Sequence, residues 1–303
     1  MNLGLEIGCG MCYYKVYDFA KGETGMRYGW LQSMLMGMLT GLTEVLPVSA
    51  EAHSRILRKF MGVGQPPELL MLLIHLAILA ALYISCQTHI VKMARAKRLS
   101  RIPKRKRNRP LDVTSMMDLS LWKTMLLPVI AVLFVTEKLE SMISNPIVIA
   151  AVLFVNGLIL YIPQFLPSGN KDCRSLSRVE GLLMGVGGAC NAVPGMSGVG
   201  AALSLASVSG IDRKYALNMV LLMDMGIIGG RIVFNVMGIL NGGLGSLSFM
   251  IFIGYLLTAV IAFLAAFAAV KILKIMAENT GYAVFAYYCW GVAMFTFVLS
   301  LMA

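Results

Sequence analysis

Acidic residues are scarce in this chain, 15 Asp and Glu in 303 residues, and charged residues of either sign make up only 14%. A water-soluble domain carries about a quarter of its residues as charges, so a surface wetted all round is excluded. Cysteine occurs six times but is scattered. Only Cys9 and Cys12, in CGMC, have redox or metal-like spacing, and no second pair or neighbouring His completes a zinc set. Free or buried thiols are therefore expected. No secretory leader is expected either, since Glu6, Lys15 and Asp18 interrupt an amino-terminal stretch that lacks a basic start, an apolar run and a small-residue cleavage site. Insertion is then expected to rely on later segments.

What the chain has instead is apolar residues, 58% of the total, and a mean hydropathy of +0.77. That composition belongs to an integral membrane protein. The formal net charge is +11, yet ten Lys and Arg and no acid fall between 92 and 109, so the remainder is almost neutral. A basic segment beside an apolar span is a cytoplasmic topology anchor that also meets anionic headgroups. Nucleic acid is not an expected partner.

Apolar runs near the ~20 residues a bilayer requires occur at about 67–86, 120–136, 146–165, 214–238, 247–271 and 281–302. Two more, about 30–60 and 180–210, are broken by LPVSA and by VPGMSG, with neither half long enough to cross. They read as re-entrant helical hairpins, since irregular backbone at membrane depth is tolerated only where protein buries it or a cavity needs it. Placing the basic segment inside makes the later loops alternate as charge asymmetry requires. The first hairpin then enters from outside and the second from inside. The expected architecture is all-α and polytopic, with about six spanning helices and two hairpins in inverted repeats. Residues 1–28 form an amino-terminal extension and 29–303 a single membrane domain. Its first half is 29–165, including a basic cytoplasmic loop at 87–119, and its second half is 166–303.

TGLTEVLPVSAEAH, from Thr40 to His53, holds the first break. Ser49 is placed to cap the half-helix after Pro47, and Ser197 the one after PGM. Two sets of unpaired N–H groups would then converge on an anion, with Gly195, Gly198 and Gly200 letting the backbone approach it. Glu44, one turn from Thr40 on an apolar helix, calls for a metal or a cationic partner. His53, in the first turn of its half-helix, is placed to act as acid, base or nucleophile. Arg231 and Asp224 share a face of an apolar span, where charge is expensive. His75, flanked by LLI and LAI, reads as a buried hydrogen-bonding residue, and Glu51 with Arg55 as a helix pair.

GLTEVLPVSAEAH and PGMSGVGAALS, with LLIHLAILAAL and ESMISNPIVIAAVLFVNGLIL between them, resemble the signatures of the undecaprenyl-diphosphate phosphatases of the bacitracin-resistance type. The resemblance runs from about Trp30 to the carboxyl terminus. It implies a multi-pass protein of the bacterial plasma membrane that hydrolyses a polyprenyl diphosphate to the lipid monophosphate and phosphate, recycling the lipid carrier of cell-wall synthesis. It further implies a divalent cation, magnesium or calcium, on Glu44, catalytic roles for Glu44, His53 and Ser49, and phosphate binding by Ser197, Gly195 and Gly198; a homo-oligomer is admitted. The departures are specific. Where the family's first signature has a glutamate this chain has Thr40, and where it has a second serine and a threonine this chain has Ala50 and Glu51. The second signature's arginine, serine and threonine are here Gly198, Val199 and Ala202. An arginine on phosphoryl oxygens is worth about 10³–10⁵ in rate, and Arg231 is the expected replacement. A non-catalytic polyprenyl-phosphate binder or flippase, and an ion-coupled transporter, remain as alternatives.

Overall fold

The computed structural model describes residues 28–107, 109–136, 139, 142, 143, 145–167, 169–242, 248–279 and 281–301. The CGMC segment lies outside them. Ten α-helices follow one another among the described residues: α1 (Trp30–Val45), α2 (Ala50–Met61), α3 (Glu68–Ser100), α4 (Val113–Leu133), α5 (Pro146–Tyr161), α6 (Arg178–Ala189), α7 (Gly198–Val208), α8 (Arg213–Gly242), α9 (Phe249–Asn279) and α10 (Ala283–Leu301). Six are long and apolar enough to span a bilayer: α3, α4, α8, α9, α10, and α5 continued to Phe165. Large apolar side chains such as Phe154, Leu127 and Leu264 stand exposed on them. That surface suits lipid, where no hydrophobic penalty attaches to exposure.

Both interrupted stretches are hairpins. α1 stops at Leu46, whose extended backbone leads into Pro47, and α2 begins after Ser49. α6 ends in a 3-10 turn at Cys190–Ala192, and α7 begins after Ser197. A proline at each break removes a backbone donor and clashes with a continuing helix.

The helix pairing exposes the internal symmetry. α1 packs on α9 and α6 on α4, while α3 packs on α8 and α5 on α10. Exchanging the two halves maps this set of pairs onto itself. Glycines four apart make the two hairpin contacts: a Cβ on Gly37 would lie 2.5 Å from Thr258 Cγ2 and one on Gly41 2.5 Å from the Ala262 carbonyl oxygen. In the other half, a Cβ on Gly181 would lie 2.5 Å from Leu121 Cδ1 and one on Gly185 2.3 Å from the Met125 carbonyl oxygen. At Gly41 and Gly185, which meet backbone carbonyls, only a bare backbone fits, as in small-xxx-small helix packing within membranes. Each contact advances in the same direction along both partners, so α1 runs parallel to α9, and α6 to α4. Because α4 and α9 cross in opposite senses, the hairpins enter from opposite faces.

Two boundaries move relative to the hydropathy reading. The first span does not end at 86, since α3 continues through Ser100, and α4 begins at Val113 behind an Asp112 cap. Hydropathy marks only the lipid-facing stretch, whereas Ala, Lys, Arg and Leu keep a helix going in water.

Candidate functional site

The two hairpin tips meet. Ser49 Oγ accepts from the N–H of Ala52 at 3.3 Å, capping α2, and also from the N–H of Gly195 at 3.1 Å, across the break of the other hairpin. Ser197 Oγ caps α7 through the N–H of Gly200 at 3.1 Å. The N–H of Ser197 itself donates to Asn156 Oδ1 on α5 at 2.9 Å, and the amide's other end donates to Cys289 Sγ on α10 at 3.4 Å. Sequence pattern places the caps, and the fold joins them: two half-helix N-termini, each with first-turn N–H groups that no helical carbonyl can take, are held tip to tip.

Glycine is required at these tips for space as well as for turning. Gly195 has φ +103°, a conformation that L side chains avoid. A Cβ there would lie 2.8 Å from Val152 Cβ. Gly198 faces backbone, since its Cβ would stand 2.5 Å from the Gly188 carbonyl oxygen. The arginine that the family signature carries at this position cannot be accommodated on the present backbone.

Glu44, on α1, is buried and accepts a charge-assisted hydrogen bond from Arg231 Nη1 of α8. Arg231 thus lies on the carboxylate, the cationic partner that an acid at membrane depth requires. Its side chain is 24% exposed against 2% for Glu44, so the guanidinium stands at the rim and the carboxylate behind it. Asp224, two turns before Arg231, is also buried, with Oδ2 lacking a hydrogen-bond partner among the described residues. Thr40 Oγ1, one turn before Glu44, is buried and unpartnered in the same sense. On the other side of Arg231, His75 Nδ1 bonds Asn235 Oδ1 at 2.7 Å, and Asn235 Nδ2 donates to Glu68 Oε2 at 3.0 Å. His75 is the buried hydrogen-bonding residue its sequence context indicates.

His53 has one plausible tautomer. Nδ1 lies 2.6 Å from the Ser49 carbonyl oxygen, an obligate acceptor, so Nδ1 carries the proton. Nε2 then accepts from the Tyr288 hydroxyl at 2.9 Å. The two rings are nearly parallel, with centroids 5.5 Å apart. Arginines 55 and 58 both reach Glu51, at 2.6 and 3.7 Å, and Arg55 Nη1 also donates to the Ile143 carbonyl at 3.1 Å. The helix pair foreseen in the sequence therefore also ties α2 to the chain just before α5.

Tyr288, Asn156 and Cys289 were not singled out by sequence reasoning. Asn156 left a usable signal, an amide inside an otherwise apolar span. Tyr288 and Cys289 left none, because α10 comes to the site only through its packing on α5.

A divalent cation would find oxygen donors here. Glu44, Asp224 and the Thr40 hydroxyl are of the hard type that magnesium and calcium take, and two of them present orphaned buried oxygens. Among the described residues no group of three or more His, Cys, Asp and Glu could hold a metal. Magnesium is commonly held by one or two carboxylates together with substrate phosphates, and the donor set fits that mode.

Comparison with known proteins adds to this geometry. The family model described as bacitracin resistance protein BacA matches residues 33–295. An undecaprenyl-diphosphatase of Methanobrevibacter smithii is 28% identical over 279 residues, covering 89% of this chain and 98% of that protein. One from a Nocardioides species is 26% identical, covering 89% and 96%. One from Thermosipho melanesiensis is 27% identical, covering 88% and 98%.

Proposed function

This chain belongs to the bacitracin resistance protein BacA family, and from that premise we propose that it hydrolyses undecaprenyl diphosphate, or a like polyprenyl diphosphate, to the lipid monophosphate and inorganic phosphate. It is a multi-pass membrane protein, and the reaction recycles the lipid carrier of cell-wall synthesis in the bacterial plasma membrane. The observation that carries the assignment of the site is the junction of the hairpin tips, Gly195 N–H on Ser49 Oγ at 3.1 Å. It holds two half-helix N-termini tip to tip, with Glu44 and His53 buried on the two arms of the first hairpin, and paired helix N-termini suit an anion.

The roles follow from the chemistry of each group. The N–H groups at the starts of α2 and α7, with Ser49 and Ser197, hold the terminal phosphoryl oxygens. Gly195 and Gly198 keep the backbone close enough to do so. His53 Nε2 carries the lone pair: it takes a proton from the attacking water, or, once the Tyr288 hydroxyl gives way, it attacks phosphorus to form an N–P bond that water then cleaves to release phosphate. The P–O bond of the anhydride breaks, and the leaving group is the lipid monophosphate. Glu44 orients the water, and Arg231 swings from the carboxylate toward the departing charge as substrate enters, taking the part of the absent signature arginine. A divalent cation held by Glu44 and Asp224 with the diphosphate would supply neutralisation of the charge on the phosphoryl oxygens.

Purified protein assayed for phosphate release from a prenyl diphosphate, with and without added magnesium or calcium, tests this reading. Release that is lost in His53→Ala and in Glu44→Ala is expected. Tight binding of the diphosphate with no phosphate released would replace the enzyme by a non-catalytic lipid-phosphate binder.

A further inference from the structure

Away from the hairpin tips, a cavity of about 390 Å³ lies between α4 and α6, lined by Ser120, Lys123, Thr124, Leu127, Arg178 and Leu182. The residues form two stripes. On α4 they recur at i, i+3, i+4 and i+7, and on α6 at i and i+4, the spacing of one helix face. Both helices run outward from the side that carries the basic segment, so in each stripe the polar members lie toward that side and the leucines deeper in the bilayer. The level is fixed by neighbours. Asp118, just over one turn before Lys123, accepts from the Tyr215 hydroxyl at the start of α8 at 2.8 Å, and the polar run 169–178 leads directly into α6. Lys123 and Arg178 therefore stand where headgroups give way to acyl chains.

Among the described residues no carboxylate pairs with Lys123 or with Arg178, and no hydrogen bond or ring contact engages either. The one acid in the first turn of α6, Glu180, is held by Lys171 at 2.6 Å and by the N–H and hydroxyl of Ser177 at 2.7 and 2.9 Å. Leu127 and Leu182 are exposed, 62% and 40%, and continue the groove as an apolar track. Two uncompensated cations side by side at a bilayer boundary repel one another and draw a counter-anion, and the anion at hand in that plane is a lipid phosphate. Basic pockets between spanning helices on the cytoplasmic side bind headgroups of this kind.

We propose that the α4–α6 groove is a binding site for an anionic phospholipid of the cytoplasmic leaflet, its phosphate on Lys123 and Arg178 and an acyl chain along Leu127 and Leu182. The site is separate from the hydrolytic centre. Because α6 is the first arm of the second hairpin and packs on α4 through Gly181 and Gly185, a lipid bridging the two helices clamps that hairpin in its seat.

Native mass spectrometry of the full chain released from detergent, titrated with phosphatidylglycerol or with phosphatidylcholine of the same acyl chains, tests it. Each cation near the membrane surface is worth about fivefold in affinity, so Lys123→Gln/Arg178→Gln should bind phosphatidylglycerol about thirtyfold more weakly. The charge-preserving Lys123→Arg/Arg178→Lys should bind as the parent does, and so should Lys104→Gln/Arg105→Gln in the basic segment. If the glutamine pair does not fold, the parent's preference for phosphatidylglycerol over phosphatidylcholine decides, together with its retention in Lys104→Gln/Arg105→Gln. Undiminished binding in Lys123→Gln/Arg178→Gln overturns the proposal. So does an equal loss in Lys104→Gln/Arg105→Gln, which would mean diffuse attraction. A parent indifferent to headgroup charge, or one from which a polyprenyl monophosphate displaces equimolar phosphatidylglycerol, also overturns it.

Discussion

Removing Arg231 should cost stability because of what it leaves behind. In Arg231→Ala the Glu44 carboxylate, 2% exposed in its side chain, loses its cation and stays buried as an uncompensated charge. Breaking a buried pair in this way costs about 3–5 kcal/mol. Arg231 is itself a quarter exposed, so water admitted through its vacated space offsets part of the loss and the lower end, about 3 kcal/mol, is expected. At about 2 °C per kcal/mol for a chain of this size, the midpoint of thermal unfolding in detergent should fall by about 6 °C. Glu44→Gln in the Arg231→Ala background removes the orphaned charge and should recover most of that drop, giving a coupling energy of at least about 1.5 kcal/mol in the double-mutant cycle. Unfolding midpoints of parent, both singles and the double, each measured in the same detergent, supply the cycle. Losses that simply add would show that the two groups do not interact, and would remove the physical basis for placing Arg231 on Glu44. The readout is independent of catalysis.

Five further outcomes follow from the geometry. Ser49→Ala orphans two buried N–H groups, those of Ala52 and Gly195, and Ser197→Ala only that of Gly200. At about 1–3 kcal/mol per orphan, thermal unfolding should show the Ser49 variant as clearly the less stable of the two. Tyr288→Phe keeps the ring stack on His53 but removes the hydrogen bond to Nε2, so phosphate release should stay within about tenfold of the parent. His53→Ala should lose about 10²–10⁴, the usual worth of a proton-transferring side chain. Gly198→Ala sets a Cβ against the Gly188 carbonyl and should cost about 1–3 kcal/mol by overpacking; Gly198→Arg should fail to accumulate in the membrane rather than gain activity. Asp112 caps α4, and hydrogen bonds from Thr114 and Ser115 hold its carboxyl down at about 2 against an ordinary 3.8. Its folded value lies below its unfolded one, so the capping contribution is full above about pH 4 and is lost as pH falls toward 2, and Asp112→Ala should remove about 1 kcal/mol at neutral pH but little at pH 2.

The sequence by itself determined the solvent, the spans and the breaks. Composition and run length depend only on which residues are present in which order, and a bilayer converts them directly into crossings; Pro47 and Pro194 then stop helices for reasons internal to the backbone. The caps at Ser49 and Ser197 were legible on the same ground, since a cap acts three residues along its own chain. The opposed entry of the hairpins was legible from charge, because the basic segment orients every later crossing. The tertiary structure alone decided who faces whom. Gly195 bonds Ser49 across 146 residues and Arg231 reaches Glu44 across 187, contacts that no local period encodes. His53 was visible as a candidate, and the Ser49 carbonyl four residues back sets its Nδ1 proton, but only the fold brings the Tyr288 hydroxyl of the last helix to Nε2. Gly198 shows the same limit from the other side. Its lack of a side chain was plain as a departure from the signature, and only the packing of α7 on α6 shows that a carbonyl oxygen occupies the place where that side chain would begin.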